Sequence, residues 1–148
     1  MADKLKQLPI YTKAVNFCGA ITAILDRPAF RDDDDLRRQI DEANDSITAN
    51  MEEGFERSSD AELARFLHFS KGSVAEILDR LRSARRKQYV TEHELDRLVD
   101  DGDELERMLA GWIRYLARTD FKDRGRHRAK PAVQKPSQKS RRSSKPQR

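Results

Sequence analysis

Apolar residues recur every three or four positions through most of the chain, which is the period of amphipathic α-helices. No segment shows the strict alternation or the β-branched run that is typical of a strand. The periodic segments cover about residues 9–26, 34–53, 60–87 and 91–121. The pattern therefore predicts an all-α fold with four long helices, and it stops after Phe121.

Polar residues at the segment starts support these boundaries. Asp33 precedes the second segment and is suited to cap a helix. Ser59 with Glu62, and Thr91 with Glu94, have the spacing of a capping box, in which a hydroxyl and a carboxylate satisfy free backbone amides. We therefore expect helices to begin close to residues 34, 60 and 92.

Three of the glycines bear on where the predicted helices end or approach each other closely. Gly54 is predicted to close the second helix in the left-handed conformation that glycine adopts easily. Gly72, inside the third helix, is interpreted as a point of close approach by a neighbouring helix. Gly102 is expected to mark a kink or break in the fourth helix, with Asp103 capping the helical segment after it.

The apolar stripes are narrow and the connections are short. Narrow stripes fit helices that cross at small angles, and short connections favour antiparallel neighbours. The sequence therefore predicts an antiparallel up-down-up-down four-helix bundle over residues 1–121. A separate region, residues 122–148, is too poor in apolar residues to form a core and is predicted to be a disordered tail.

Charge divides the chain at the same boundary. Residues 1–121 carry 19 basic and 25 acidic side chains, whereas residues 122–148 carry eleven basic side chains and one acidic one. A basic tail is suited to binding a polyanion, and it can equally serve only to keep the chain in solution. The candidate nucleic-acid contacts in the tail are Arg124, Arg126, Arg128, Lys130, Lys135, Lys139, Arg141 and Arg142.

The sequence shows no catalytic, cofactor or metal site. Cys18 is the single cysteine, and the three histidines (His68, His93 and His127) lack zinc-ligand or Glu-x-x-His spacing. The acidic runs at 32–35 and 100–104 are better explained as helix caps. We therefore expect a non-enzymatic protein. Because no signal peptide or membrane span is visible, we expect it in the cytoplasm.

The stretch from Ser46 to Ile77 resembles the four-helix bundle proteins encoded in intervening sequences of bacterial 23S ribosomal RNA genes. That family typically reads S-I-x-x-N-I-x-E-G, then an arginine, F-x-x-F-L and G-S-x-x-E-L. The resemblance covers about residues 8–117. The matching residues are Ser46, Ile47, Asn50, Met51, Glu53, Gly54, Arg57, Phe66, Leu67, Gly72, Ser73, Glu76 and Ile77.

The resemblance implies a homopentameric, non-enzymatic protein. The family is related to the accessory variability proteins of diversity-generating retroelements, which bind a reverse transcriptase and nucleic acid. The pair Trp112-Ile113 near the end of the last helix, followed by basic residues, is similar to theirs and implies nucleic-acid contacts at Arg114 and Arg118. The family commonly has an arginine pair before S-I, where this chain has Asp41-Glu42, so a basic surface on the body is not expected.

The resemblance also directs attention to the corner at Gly54. There Asn50 is expected to satisfy backbone groups where the helix ends. Glu53 and Arg57 are expected either to pair with each other across the corner or to bridge to a neighbouring subunit. Gly72, Ser73 and Glu76 are family-motif residues with an expected structural role.

Aromatic residues provide a further prediction about assembly. Phe17 and Phe69 fall beside the apolar stripes of their helices, and the aromatic residues are not all expected to fit one monomer core. Exposed aromatics often mark an interface, so both are predicted to lie in a homo-oligomer contact. The leading hypothesis is a nucleic-acid-binding or reverse-transcriptase accessory scaffold. The alternative is a structural or protein-interaction module whose tail is only a solubiliser.

Overall fold

The computed structural model describes residues 2–118, and its regular elements are all α-helices, which confirms the predicted all-α class. The four long helices correspond to the four periodic segments, and two short helices were not predicted. Predictions that concern residues 119–148 lie outside the described residues. The helices are α1 (Ala2–Lys6), α2 (Pro9–Leu25), α3 (Pro28–Arg31), α4 (Asp34–Glu56), α5 (Asp60–Arg86) and α6 (Glu92–Arg118).

The long helices enclose one apolar core. The most extensive packing is between α4 and α5 and between α5 and α6, while α2 lies against both α4 and α6. Leu5 from α1 and Phe30 from α3 are almost fully buried in the same core. The short helices therefore cover parts of the core that the four long helices leave open.

The predicted caps are present. Asp33 Oδ1 accepts a hydrogen bond from the Leu36 amide at 3.3 Å, and Ser59 Oγ accepts one from the Glu62 amide at 3.1 Å. The box at Thr91 is complete, because Thr91 Oγ1 accepts from the Glu94 amide and Glu94 Oε1 accepts from the Thr91 amide. These side chains satisfy backbone donors that the first turn of a helix leaves free.

Gly54 does not end α4, contrary to the prediction. The helix continues to Glu56, and no glycine in residues 2–118 has a positive φ. A Cβ atom at Gly54 would lie 2.7 Å from Phe66 Cβ and 3.3 Å from the Leu63 carbonyl oxygen. The glycine is therefore needed because α4 and α5 approach each other closely at this point.

The interpretations of Gly72 and Gly102 are also wrong. Gly72 is exposed, and a Cβ atom there would meet nothing within 4 Å. The helix α6 runs through Gly102 without a break, and a Cβ atom there would lie 2.8 Å from Leu78 Cδ2. Close approach of α5 and α6 thus requires Gly102, where the sequence suggested a kink.

The aromatic residues fit the monomer core better than expected. Phe17, Phe30 and Phe55 are each at most 2% exposed, so the predicted exposure of Phe17 is wrong. Phe17 belongs to a buried face of α2 that includes Ile10, Ala14 and Ile21, and this face is wider than the stripe read from the sequence. Phe17 is therefore a core residue, which removes the reason for assigning it to an oligomer interface.

A polar network joins the start of α4 to the connection between α5 and α6. Asp33 Oδ2 accepts hydrogen bonds from Lys87 Nζ at 2.7 Å and from the Tyr89 hydroxyl at 2.9 Å. Arg27 makes a two-contact ion pair with Glu94 and donates to the Tyr89 carbonyl at 3.3 Å. Because these groups lie at or next to the ends of different helices, the network fixes how the helix ends meet.

We expect the network to make stability depend on pH in the acidic range. The hydrogen bonds from Arg27, and then from the Thr91 amide, lower the pKa of Glu94 to about 2. A carboxyl whose pKa falls on folding contributes stability above its ordinary pKa, and this contribution is lost as the pH falls towards about 2. Glu94→Gln should therefore flatten the decline in unfolding free energy below pH ~5, as measured by urea denaturation at several pH values.

The control for this measurement is Glu56→Gln, which changes an exposed carboxylate at the end of α4. It should leave the decline unchanged. A Glu94→Gln protein with the same acid profile as the parent would show that the Arg27–Glu94 pair does not contribute to stability in solution.

Candidate interaction surface between α4 and α5

Polar and aromatic side chains line the outer edge of the contact between α4 and α5. Helical spacing places one set on a single face of α4, with Arg57 directly after the end of that helix, and another set on the facing side of α5. None of these side chains is fully buried. We call this surface the α4–α5 seam and define it by Ser46, Asn50, Glu53, Arg57, Phe66, Phe69, Ser73 and Glu76.

Arg57 lies at the centre of the ionic contacts in the seam. Its guanidinium is 2.9 Å from Glu53 and 3.7 Å from Glu62. The same group lies over the ring of Phe66, with 4.9 Å between the guanidinium carbon and the ring centroid. The expected pair of Glu53 and Arg57 is thus present, and two carboxylates offset the charge of this arginine.

Two aromatic rings of α5 lie next to this ion pair. Phe66 and Phe69 meet edge to face, with ring centroids 5.6 Å apart. The guanidinium of Arg65 lies 5.4 Å from the centroid of Phe69. Phe69 remains 44% exposed, and Val15 is the other large apolar side chain so exposed among residues 2–118. The position of Phe69 agrees with the prediction that it is exposed.

Hydroxyl groups connect the two helices behind the rings. Ser46 and Ser73 are hydrogen-bonded to each other across the contact. Buried Ser70 donates to the Ile47 carbonyl at 2.7 Å. These bonds join the S-I motif of α4 to the G-S motif of α5, so hydrogen bonds hold the two helices together beneath the seam.

The remaining motif residues do not all make the contacts that the sequence predicted. Asn50 Nδ2 donates to the Ser46 carbonyl at 2.8 Å, one turn earlier in the same helix, and not to groups at a helix end. Gly72 and Glu76 are exposed on α5. The family motif thus contributes several residues to a surface as well as to the core.

Arg114 and Arg118 are exposed on the last turns of α6. The eight tail residues predicted to contact nucleic acid, from Arg124 to Arg142, lie outside the described residues. The exposure of Arg114 and Arg118 is compatible with a polyanion contact that continues from α6 into the tail, and their role stays a prediction.

Groups that could support other chemistry are scattered. No group of three or more His, Cys, Asp or Glu side chains within residues 2–118 is placed to hold a metal ion. Cys18 Sγ lies 3.5 Å from the Asn44 carbonyl, and burial, together with the nearby Asp45 charge, raises its pKa to about 11. His68 and His93 are exposed.

None of the helices in the described part combines the length and apolar character needed to cross a membrane.

Sequence reasoning missed Arg65 as a partner of Phe69 and Arg57 as a partner of Phe66. The contact between Arg65 and Phe69 could have been predicted from the sequence, because residues four apart lie on one face of a helix. The contact between Arg57 and Phe66 joins the end of α4 to α5 across the short connection at residues 57–59, and no local sequence pattern indicated it.

The comparison with protein families supports the resemblance. Residues 6–111 match the family model described as 23S rRNA-intervening sequence protein. This region contains the complete seam and stops before the basic tail. Comparisons with curated proteins and with solved structures gave no match. The chain belongs to the 23S rRNA-intervening sequence protein family.

Proposed function

We propose that this chain is a non-enzymatic, homo-oligomeric scaffold that binds nucleic acid or a reverse transcriptase, with the basic tail as its polyanion contact. The observation that carries the proposal is the separation of charge. Eleven basic residues and one acidic residue follow Phe121, while the preceding region has six more acidic than basic residues. A polyanion would be repelled by the body and attracted to the tail.

The proposal includes an antiparallel four-helix bundle as the body. The Tyr11 hydroxyl, early in α2, donates a hydrogen bond to the Glu52 carboxylate, late in α4. Arg37 Nε, early in α4, donates a hydrogen bond to the carbonyl of Leu25, at the end of α2. A reversed order of this kind is the order expected for antiparallel neighbours.

The likeness to accessory variability proteins supports nucleic acid or a reverse transcriptase as the partner, and a homo-oligomer as the assembly. The family resemblance implies a homopentamer, and the accessory variability proteins bind a reverse transcriptase and nucleic acid; we extend both properties to this chain. Several tails on one assembly would bind a single polyanion with an avidity greater than that of one tail. A cytoplasmic location is part of the proposal, because RNA and reverse transcriptase are intracellular partners.

The seam supports a second candidate function, a protein-interaction module whose tail is only a solubiliser. Arg57 is paired with Glu53 and Glu62, so the seam offers a polyanion little net positive charge. Exposed Phe69, with Arg65 on its ring, has the composition of a protein contact. A protein partner at this surface would not require the tail.

The test is binding of labelled single-stranded RNA and DNA by fluorescence anisotropy across a salt series. We expect the full chain to bind with an affinity that falls about 10³-fold between 50 and 200 mM salt, as for about eight phosphate contacts to a single strand. A full-length variant with the eight tail residues from Arg124 to Arg142 changed to glutamine should lose most of that affinity.

Two controls make the result decisive. A chain of residues 1–121 should behave like the glutamine variant, and Arg82→Gln, which removes an exposed charge from α5, should bind like the parent. If the glutamine variant binds as tightly as the parent, the tail is not the contact. If the parent itself does not bind, the nucleic-acid proposal fails and the protein-interaction module is favoured.

A further inference from the structure

The outer face of α5 carries an ordered set of four exposed residues. Arg65, Phe69, Gly72 and Glu76 are spaced by four, three and four positions, so they form one line along the helix. A basic residue stands at one end of the line and an acidic residue at the other. The exposed ring and the exposed glycine lie between them.

Each member of this line has unused capacity for contact. Within residues 2–118, Arg65 contacts the ring of Phe69 but has no ion-pair partner, and Glu76 has none either. Phe69 is 44% exposed. At Gly72 a Cβ atom would meet nothing within 4 Å, so the backbone there is open to a close approach from outside.

The line is complementary to itself when reversed. In an antiparallel pair of α5 helices centred between Ser70 and Lys71, Arg65 faces the partner's Glu76, and Phe69 faces the partner's Gly72. The two-fold axis repeats both contacts, because an isologous interface uses the same patch twice. Opposite charges therefore meet at both ends of this four-residue line, and each ring lies over a position without a side chain.

We propose that two copies of this chain pair through the outer face of α5, in antiparallel orientation, with Phe69 as the central contact. The partner is a second copy because the reversed pairing places Arg65 opposite Glu76, and Phe69 opposite Gly72, twice across the same axis. A polyanion would meet Glu76 as well as Arg65. An exposed aromatic flanked by arginine is also the kind of residue that dominates binding energy in protein interfaces.

This contact is separate from a pentameric ring and does not depend on the proposed function. A ring of five requires a head-to-tail contact between two different surfaces, whereas the α5 pair has two-fold symmetry. If both exist, the pair links two rings. The pairing is measured without nucleic acid, so its failure and the failure of the nucleic-acid proposal can be distinguished.

The test is a charge exchange read by sedimentation equilibrium over a range of protein concentrations. Arg65→Glu places two carboxylates opposite each other at both ends, and Glu76→Arg does the same with two cations. Each single variant should weaken the pairing about tenfold or more, because like charges repel across an interface. The double variant R65E/E76R restores opposite charges and should return the dissociation constant to within about threefold of the parent.

Two further variants address fold and specificity. Phe69→Glu should abolish the pairing while the helix signal in circular dichroism remains that of the parent, since the side chain lies outside the core. Arg97→Glu, an exposed charge reversal on α6, is the matched control and should not change the pairing. A double variant as weak as the singles, or a parent whose mass is unaffected by Phe69→Glu, would overturn the proposal.

Discussion

Replacing Trp112 by alanine is expected to lower the free energy of unfolding by about 3–5 kcal/mol, the range for removing a large aromatic side chain from a core. Trp112 is 1% exposed on α6 and packs against Phe55 of α4, with ring centroids 6.3 Å apart. Its removal leaves a cavity between two long helices. Urea denaturation at fixed protein concentration, with tryptophan-independent detection by circular dichroism, measures the change.

Trp112→Phe is the matched variant. The indole Nε1 is buried without a hydrogen-bond partner among the described residues, and an unpaired buried donor itself costs about 1–3 kcal/mol. Phenylalanine keeps part of the ring contact and removes this donor. Its cost should therefore be less than half that of alanine, and equal costs would show that the burial or the unpaired state of the indole is misassigned.

The second large effect concerns Gly54, whose replacement by alanine is expected to destabilise the fold by about 1–3 kcal/mol through overpacking. The new methyl group would lie 2.7 Å from Phe66 Cβ, an atom that cannot move without the α5 backbone. Helix propensity alone predicts that Gly54→Ala stabilises the fold, because alanine is favoured over glycine by about 1 kcal/mol inside a helix. Chemical denaturation determines which effect dominates.

Gly19→Ala provides the control for propensity. Gly19 lies inside α2, and a Cβ atom there would meet nothing within 4 Å. This variant should be stabilised by up to about 1 kcal/mol, so the two glycine replacements should differ in sign. If Gly54→Ala is stabilised as well, the close contact between α4 and α5 is looser in solution than in the structure.

The helices themselves could be predicted from sequence because their signals are local. The apolar period is a property of residues three and four apart, and the caps at Asp33, Ser59 and Thr91 act on amides within three residues. The basic tail is a matter of composition, so its candidate role was also visible without a structure. Family membership was indicated by the motif between Ser46 and Ile77.

The outcome of contacts between helices could not be predicted from the sequence. Gly54, Gly72 and Gly102 look alike in sequence, yet two are required by a neighbouring helix and one is open to solvent. Phe17 and Phe69 both fall beside an apolar stripe, yet one is buried and the other exposed. In each case the deciding atoms belong to another helix.

The candidate interaction surface, too, was predictable from the sequence only in part. The spacing of Arg65, Phe69, Gly72 and Glu76 along α5 is determined by the sequence alone, because a helix fixes which residues share a face. That this face is exposed, and that Arg57 and Phe66 border it, depends on how α4 and α5 pack. Local periodicity thus determined the helices of this protein, whereas packing between residues distant in sequence decided which helix faces remain free to bind.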